Sequence, residues 1–487
     1  MPPVAIGWRA ALLAVALSAA SPALAQSLQE RVETELAGAG PGVRFGLVVA
    51  DADGRELIAI DPDNRFIPAS NTKMLTTAAA FATLGPLDQP DTNGGAAVRL
   101  EQYGKMAPDV VLVGNGDARL SSAPECVANC LAALADAVAA RTMRVGNVVG
   151  DDSLFPDQRW SPGMSWNNIP SRSGTGVSAL SIDDNELHLR AFPTSPGQPP
   201  RIEHLPYYRI ENQALTVAHG ETNLSFDRMP ASNVVRLSGT IAAGAEPELV
   251  RMGIDDPAHF AAWRLKDLLE ARGVRVGGEV AVRHRGLRPF DDPKLRAGVA
   301  VARPQREEPL AKLTPPPLAD DIETINKVSQ NLHAELMLRR VGLASGTGSI
   351  ADGVAAVQAM MEQAGVPRTG WDISDGSGMS SYNRLAPRSV TKMLRWIQAQ
   401  PWGERWRSSL PIAGVDGTLA RRFKDTSLES GLFAKTGTLN ATNALSGYMT
   451  GKSGKLLTFS VYANDVPEGV AATKVMDAAL VLIAEAN

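Results

Sequence analysis

Strand-like sequence stands at both extremes of this chain, and that placement limits its possible folds more than any other feature. Residues 43–50 are largely apolar and rich in valine, Asp51-Ala52-Asp53-Gly54 signals a turn, and residues 56–60 continue as a second strand. At the far end, residues 432–439, 444–450 and 456–463 read as three more, with Gly451-Lys452-Ser453-Gly454 turning between the last two. Two strands at one end and three at the other predict a single five-stranded antiparallel sheet closed by both termini. Helical patterns over 71–84, 320–341, 350–364, 387–399 and, closing the chain, 468–486 would cover its faces. The expected class is α/β.

The middle reads differently. Residues 86–309 are punctuated by Gly and Pro and carry short β-like runs at 110–113 and 145–149. Two helices are expected there. One spans 124–141 and holds Cys126 and Cys130 in its first turns; the other is capped by Asp256, takes Pro257 into its first turn and stops before Gly273. The region is therefore read as an insertion of one or two mostly β domains. It interrupts a discontinuous unit made of residues 26–85 and 310–487, and Pro315-Pro316-Pro317 marks the start of the helical segment that follows. A length of 487 residues suits two to four domains.

Residues 1–25 look like an export signal. Arg9 is followed by an apolar stretch at 10–20 and by Ala23-Leu24-Ala25, a small-x-small cleavage site. No later segment approaches the about 20 apolar residues a bilayer requires, so a periplasmic protein with at most peripheral membrane association is expected. Export permits a disulfide between the only two cysteines. Their i, i+4 spacing would strain it on a regular helix, and the sequence leaves both states open. A net charge of -4 without a long basic run makes nucleic acid an unexpected partner. Neither a metal nor a cofactor is expected, since no His or Cys cluster has ligand spacing.

Three short motifs carry the chemistry. Ser70-Asn71-Thr72-Lys73 is S-x-x-K, Ser329-Gln330-Asn331 is S-x-N, and Lys435-Thr436-Gly437 is K-T-G, in that order. Singly they mean little: Ser389-Val390-Thr391-Lys392 repeats the first, and Ser165-Trp166-Asn167 and Ser381-Tyr382-Asn383 repeat the second. K-T-G occurs once, against a chance expectation of about 0.1, and order selects among the rest. Ser389 follows Pro387-Arg388 in the manner of a helix cap and is read as structural.

Ser70 and Lys73 would share a helix face one turn apart, with Ser70 as nucleophile and Lys73 as its base. An ordinary lysine titrates near about 10.4, so burial, the helix N-terminus and a second cation such as Lys435 must lower it. A hydroxyl at Ser329 can relay a proton to the leaving nitrogen, and the Asn331 amide can hold substrate. Lys435, Thr436, Gly437 and Thr438 lie on an expected edge strand, suited to pairing with an extended peptide. Lys435 would attract its carboxylate, Gly437 would leave room for it, and the N–H groups of Ser70 and Thr438 would form an oxyanion hole. His333 reads as a helix residue.

The three motifs together resemble the active-site serine penicillin-recognising enzymes. Asp375-Gly376-Ser377-Gly378-Met379-Ser380 with Asn383, Leu410-Pro411-Ile412-Ala413-Gly414-Val415-Asp416-Gly417-Thr418-Leu419 and Gly150-Asp151-Asp152-Ser153-Leu154-Phe155 are similar to blocks of the class C low-molecular-mass penicillin-binding proteins. The resemblance implies a transpeptidase/β-lactamase-like domain with a large insertion between S-x-x-K and S-x-N. It also implies a D-alanyl-D-alanine carboxypeptidase, often a DD-endopeptidase, that acts on peptidoglycan stem peptides and is acylated by β-lactam antibiotics. Some members carry acidic residues in a Trp-rich stretch of the insertion, where this chain has Trp166-Asn167-Asn168. A serine β-lactamase and a non-catalytic peptidoglycan-binding scaffold are the alternatives; no Glu-x-x-Leu-Asn segment supports the former.

Overall fold

The computed structural model describes residues 26–302 and 307–487, so the expected export signal lies outside the described residues. Five strands form the expected antiparallel sheet, in the order Leu432–Leu439, Thr442–Thr450, Leu456–Asn464, Arg44–Ala50 and Glu56–Ile60. Alternation along each strand serves two cores. Ala444 and Tyr448 face a layer that includes Met74, Leu75, Ile322, Leu338, Val390 and Leu394. Leu445 and Met449 face the opposite layer, closed by the helices Leu28–Ala37 and Ala472–Ala486. The first of these helices was not expected. Its signal is a capping box, in which Ser27 Oγ accepts from the Glu30 N–H and the Glu30 carboxylate accepts from the Ser27 N–H. The last begins at Ala472, a turn later than its sequence pattern suggests.

The expected helix 320–341 is two helices, Leu318–Lys327 and Asn331–Leu343, parted at Ser329 with φ 63°. Between the outer strands and these helices the chain builds a separate core. A mixed five-stranded sheet orders Val280–Arg285, Val148–Pro156, Asp109–Val113, Ala97–Glu101 and Ala311–Lys312. The helices Leu131–Arg141 and Pro257–Ala271 pack on it, and smaller β-sheets adjoin it. Ala311–Lys312 pairs with Ala97–Glu101, so the inserted sheet takes its last strand from just beyond residue 309.

Two local expectations are corrected. The helix after the cysteines starts only at Leu131; Cys126 lies in the preceding turn and Cys130 at the cap, where extended backbone lets the two join in a disulfide. Ser389 lies inside the helix Pro387–Gln398, whose cap is Ala386, and Ser389 is buried against Gly370.

Candidate active site

Ser70 sits in the single 3-10 turn Ala69–Asn71 that leads into the helix Thr72–Thr83. Ala69 before it has φ 47°, a left-handed conformation that needs support from its surroundings. Two glycines supply room for that support. A Cβ on Gly378 would stand 1.9 Å from the Ala69 carbonyl oxygen, and one on Gly437 2.5 Å from that of Pro68. Gly437 is thus required by the turn of the serine itself, since the space it leaves faces Pro68. Asn71 ties the same turn to the edge strand: its Nδ2 donates to the Lys435 carbonyl at 2.7 Å, and its Oδ1 accepts from Ser446 at 2.6 Å.

Lys73 is fully buried, with Nζ 2.8 Å from Ser70 Oγ. The same nitrogen donates to Asn331 Oδ1 at 2.7 Å and to the Ser377 carbonyl at 2.6 Å. Burial drives its pKa down to about 7, against the opposing charges of Asp375 and Glu335. Asn331 also donates through Nδ2 to the Ser173 carbonyl at 2.9 Å, reaching into the inserted region. Lys435, also fully buried, donates to Ser329 Oγ and to the Thr436 carbonyl, each at 3.0 Å. Burial first, and then the charge of Lys73, hold its pKa well below the usual lysine range. Thr436 shares a hydrogen bond of 2.8 Å with Thr418, and Thr438 is exposed beyond it on the same strand.

The structure therefore brings Ser70, Lys73, Ser329, Asn331 and Lys435 into one chain of contacts, with Thr436, Gly437 and Thr438 along the adjoining strand. It adds a layer that the sequence reading left without a role. Glu335 Oε1 accepts from the N–H groups of Gly376 and Ser377, at 3.0 and 2.8 Å, and so fixes the carbonyl that receives Lys73. Asp375 accepts from Gly378 N–H, Ser380 N–H and Asn383 Nδ2; burial, then the charge of Glu335, raise its pKa to about 6. Asn383, one of the repeated S-x-N matches, is spent on this carboxylate. The other, Ser165-Trp166-Asn167, lies at an exposed 3-10 turn, Trp166–Asn168, where Ser165 donates to Asn167. Among the described residues, no group of three or more His, Cys, Asp or Glu side chains is placed to hold a metal ion, and no helix is long and apolar enough to cross a membrane.

A sheet fed from both ends of the chain, with half-buried Ser70 and fully buried Lys73 against its edge strand, is in keeping with the penicillin-recognising serine enzyme superfamily, in which the comparisons place the chain. The model of the D-Ala-D-Ala carboxypeptidase 3 (S13) family matches residues 25–486, and the chain belongs to that family of peptidases. A D-alanyl-D-alanine carboxypeptidase from Actinomadura sp. is 33% identical over 97% of this chain and 89% of its own. Carboxypeptidase DacB from Mycolicibacterium smegmatis is 28% identical over 92% of this chain and 83% of its own. In fold, penicillin binding protein 4 (dacB) from Haemophilus influenzae superposes with a TM-score of 0.76 at 22% identity, covering 93% of this chain and 97% of that one.

Proposed function

We propose that the protein is a periplasmic serine DD-peptidase that removes terminal D-alanine from peptidoglycan stem peptides, cleaves D-alanyl cross-links, or does both, and is acylated by β-lactams at Ser70. The observation that carries this is the hydrogen count at Lys73. A neutral amine has two hydrogens and one lone pair; the Asn331 and Ser377 oxygens take both hydrogens, so the lone pair faces the Ser70 hydroxyl. With a pKa of about 7 the neutral form is well populated at neutral pH.

Ser70 gives its proton to Lys73 as Oγ attacks the carbonyl of the penultimate D-alanine. The N–H groups of Ser70 and Thr438 receive the developing oxyanion. As the C–N bond breaks, the departing nitrogen takes a proton through Ser329, whose hydroxyl is held by Lys435. Water then cleaves the ester and returns Ser70. The substrate's C-terminal carboxylate meets Lys435, Thr436 and Thr438, and its charge favours the ammonium form of Lys435. In this reading residues 26–85 and 310–487 form the catalytic unit and 86–309 an insertion; the partition of the apolar cores on either side of the site supports it.

Muropeptide chromatography of peptidoglycan incubated with the protein tests the reading. Release of D-alanine, loss of cross-linked dimers, or both are expected from the wild type, and neither from Ser70→Ala, which also takes no label from a fluorescent penicillin. Labelling that persists in Ser70→Ala would refute the assignment.

A further inference from the structure

We infer that His333 is a positioning residue: together with Asp184 of the inserted region it locks the Ser329-Gln330-Asn331 turn against the nucleophile. On this view the insertion helps to set the catalytic geometry. The inference rests on the reading of Ser70 as nucleophile.

Ser329 keeps φ 63° without being glycine, a conformation held only where the surroundings fix it. Its hydroxyl and the amide of Asn331 are the groups that must stay in register with Lys435 and Lys73. His333 follows Asn331 by two residues and is 4% exposed. Its ring spans three elements. Nε2 lies 2.9 Å from Asp184 Oδ1 in the inserted region, and Nδ1 lies 3.2 Å from Asp321 Oδ1 on the preceding helix Leu318–Lys327. The ring therefore straps the helix before the Ser329 break to the helix after it, and both to the insertion.

The insertion is built to present that carboxylate. Asp183, Asp184 and Asn185 have φ values of 50°, 55° and 50°, three consecutive left-handed residues of which none is glycine. Side chains on either side enforce the run. Asp183 accepts from Ser121 and Ser122, while Asn185 accepts from the Ile182 N–H and donates to the Gly176 carbonyl. Such a run is costly and is kept here with its middle residue turned onto His333. Apolar contacts back the same junction, since Leu332 and Leu336 pack with Ala118, Phe155, Val177 and Ala179.

The charges around the ring are mixed, two carboxylates facing it while Arg119 shares one of them. Arg119 donates to Asp321 Oδ1 at 2.6 Å and to Thr324, Arg340 pairs with Asp91, and Asp117 is buried beside Asp321. Burial alone would favour the neutral imidazole, but the carboxylates of Asp184, hydrogen-bonded to Nε2, and then of Asp321, at ion-pair distance from Nδ1, outweigh it and raise the pKa to about 9. A raised value places the clamp's contribution fully below about 6.5, with loss as pH rises through about 9.

The test combines penicillin acylation of the full chain between pH 6 and pH 10 with amide hydrogen exchange. His333→Gln and Asp184→Asn should each slow acylation about tenfold near pH 8.5, and the double variant should lose no more than either. Asp184→Glu should restore the rate. The acid limb through about 7, set by Lys73, should stay in place in every variant. Exchange should quicken at residues 329–333. Single variants that acylate within about twofold of wild type throughout would overturn the inference, as would losses equal at every pH that track melting temperature. Asp184 is half exposed, so Asp184→Asn carries the test if His333→Gln does not fold. Should the wild type take no penicillin, the Ser70 reading fails, and the exchange measurement still decides for or against the clamp.

Discussion

At Lys73 the chemistry turns on one proton. An ammonium there would aim a third N–H at a serine oxygen and block the transfer; the amine that burial favours aims a lone pair instead. Such selectivity holds only while the turn of Ser70 keeps its place, and two neighbours keep it. Asn71→Ala would remove a partner from the Lys435 carbonyl and from the Ser446 hydroxyl, which keeps Ser460, at about 1–3 kcal/mol for a buried group left unpaired. Denaturant unfolding should show a loss of about 1–3 kcal/mol. Gly437→Ala would press a methyl to 2.5 Å from the Pro68 oxygen and displace the turn. Acylation by penicillin should fall about a hundredfold, the scale expected of a misplacement near 1 Å; an unchanged rate would mean that the strand and not the turn gives way.

Among the elements, sequence read well wherever one local rule acted alone. The strands at both ends are apolar runs bounded by turn signals, as suits a sheet buried on both faces, and Asp256-Pro257 caps a helix that ends before Gly273 as its residues dictate. S-x-x-K, S-x-N and K-T-G named the side chains that the fold gathers, because each motif places its groups by local spacing. Glu335, Asp375 and Asn71 escaped as functional groups for the opposite reason: a buried carboxylate or amide on a helix or turn looks in sequence like a solvated one, and only tertiary packing aims it at Gly376, Ser380 or the Lys435 carbonyl. The cysteines were misplaced on a helix because alanine-rich sequence continues past a cap that extended backbone at Cys130 supplies. Their loop is short, so closing it restricts the unfolded chain modestly, by about 2 kcal/mol. Reduction, or Cys126→Ser with Cys130→Ser, should lower stability by about that amount, and penicillin acylation should not change.

For the whole molecule, charge ties the regions together and sets a pH window. His333 is raised to about 9 by Asp184 and Asp321 against burial, and His284 to about 10 by Asp152 and then Asp256. Both are raised above the ordinary imidazole value near about 6.5. Each therefore stabilises the fold fully below that value and ceases to do so as pH climbs through its own. Melting temperature should decline from pH 7 to pH 10, and His284→Asn should flatten the upper part of that decline. The central claim remains the uncharged base beside Ser70. The pH dependence of the second-order rate of Ser70 acylation by a penicillin, followed by mass spectrometry of the intact protein, tests it most directly. The rate should rise with pH along a limb centred at about 7 and vanish in Lys73→Ala. A rate level from pH 5 to pH 9, or acylation that survives in Lys73→Ala, would contradict it.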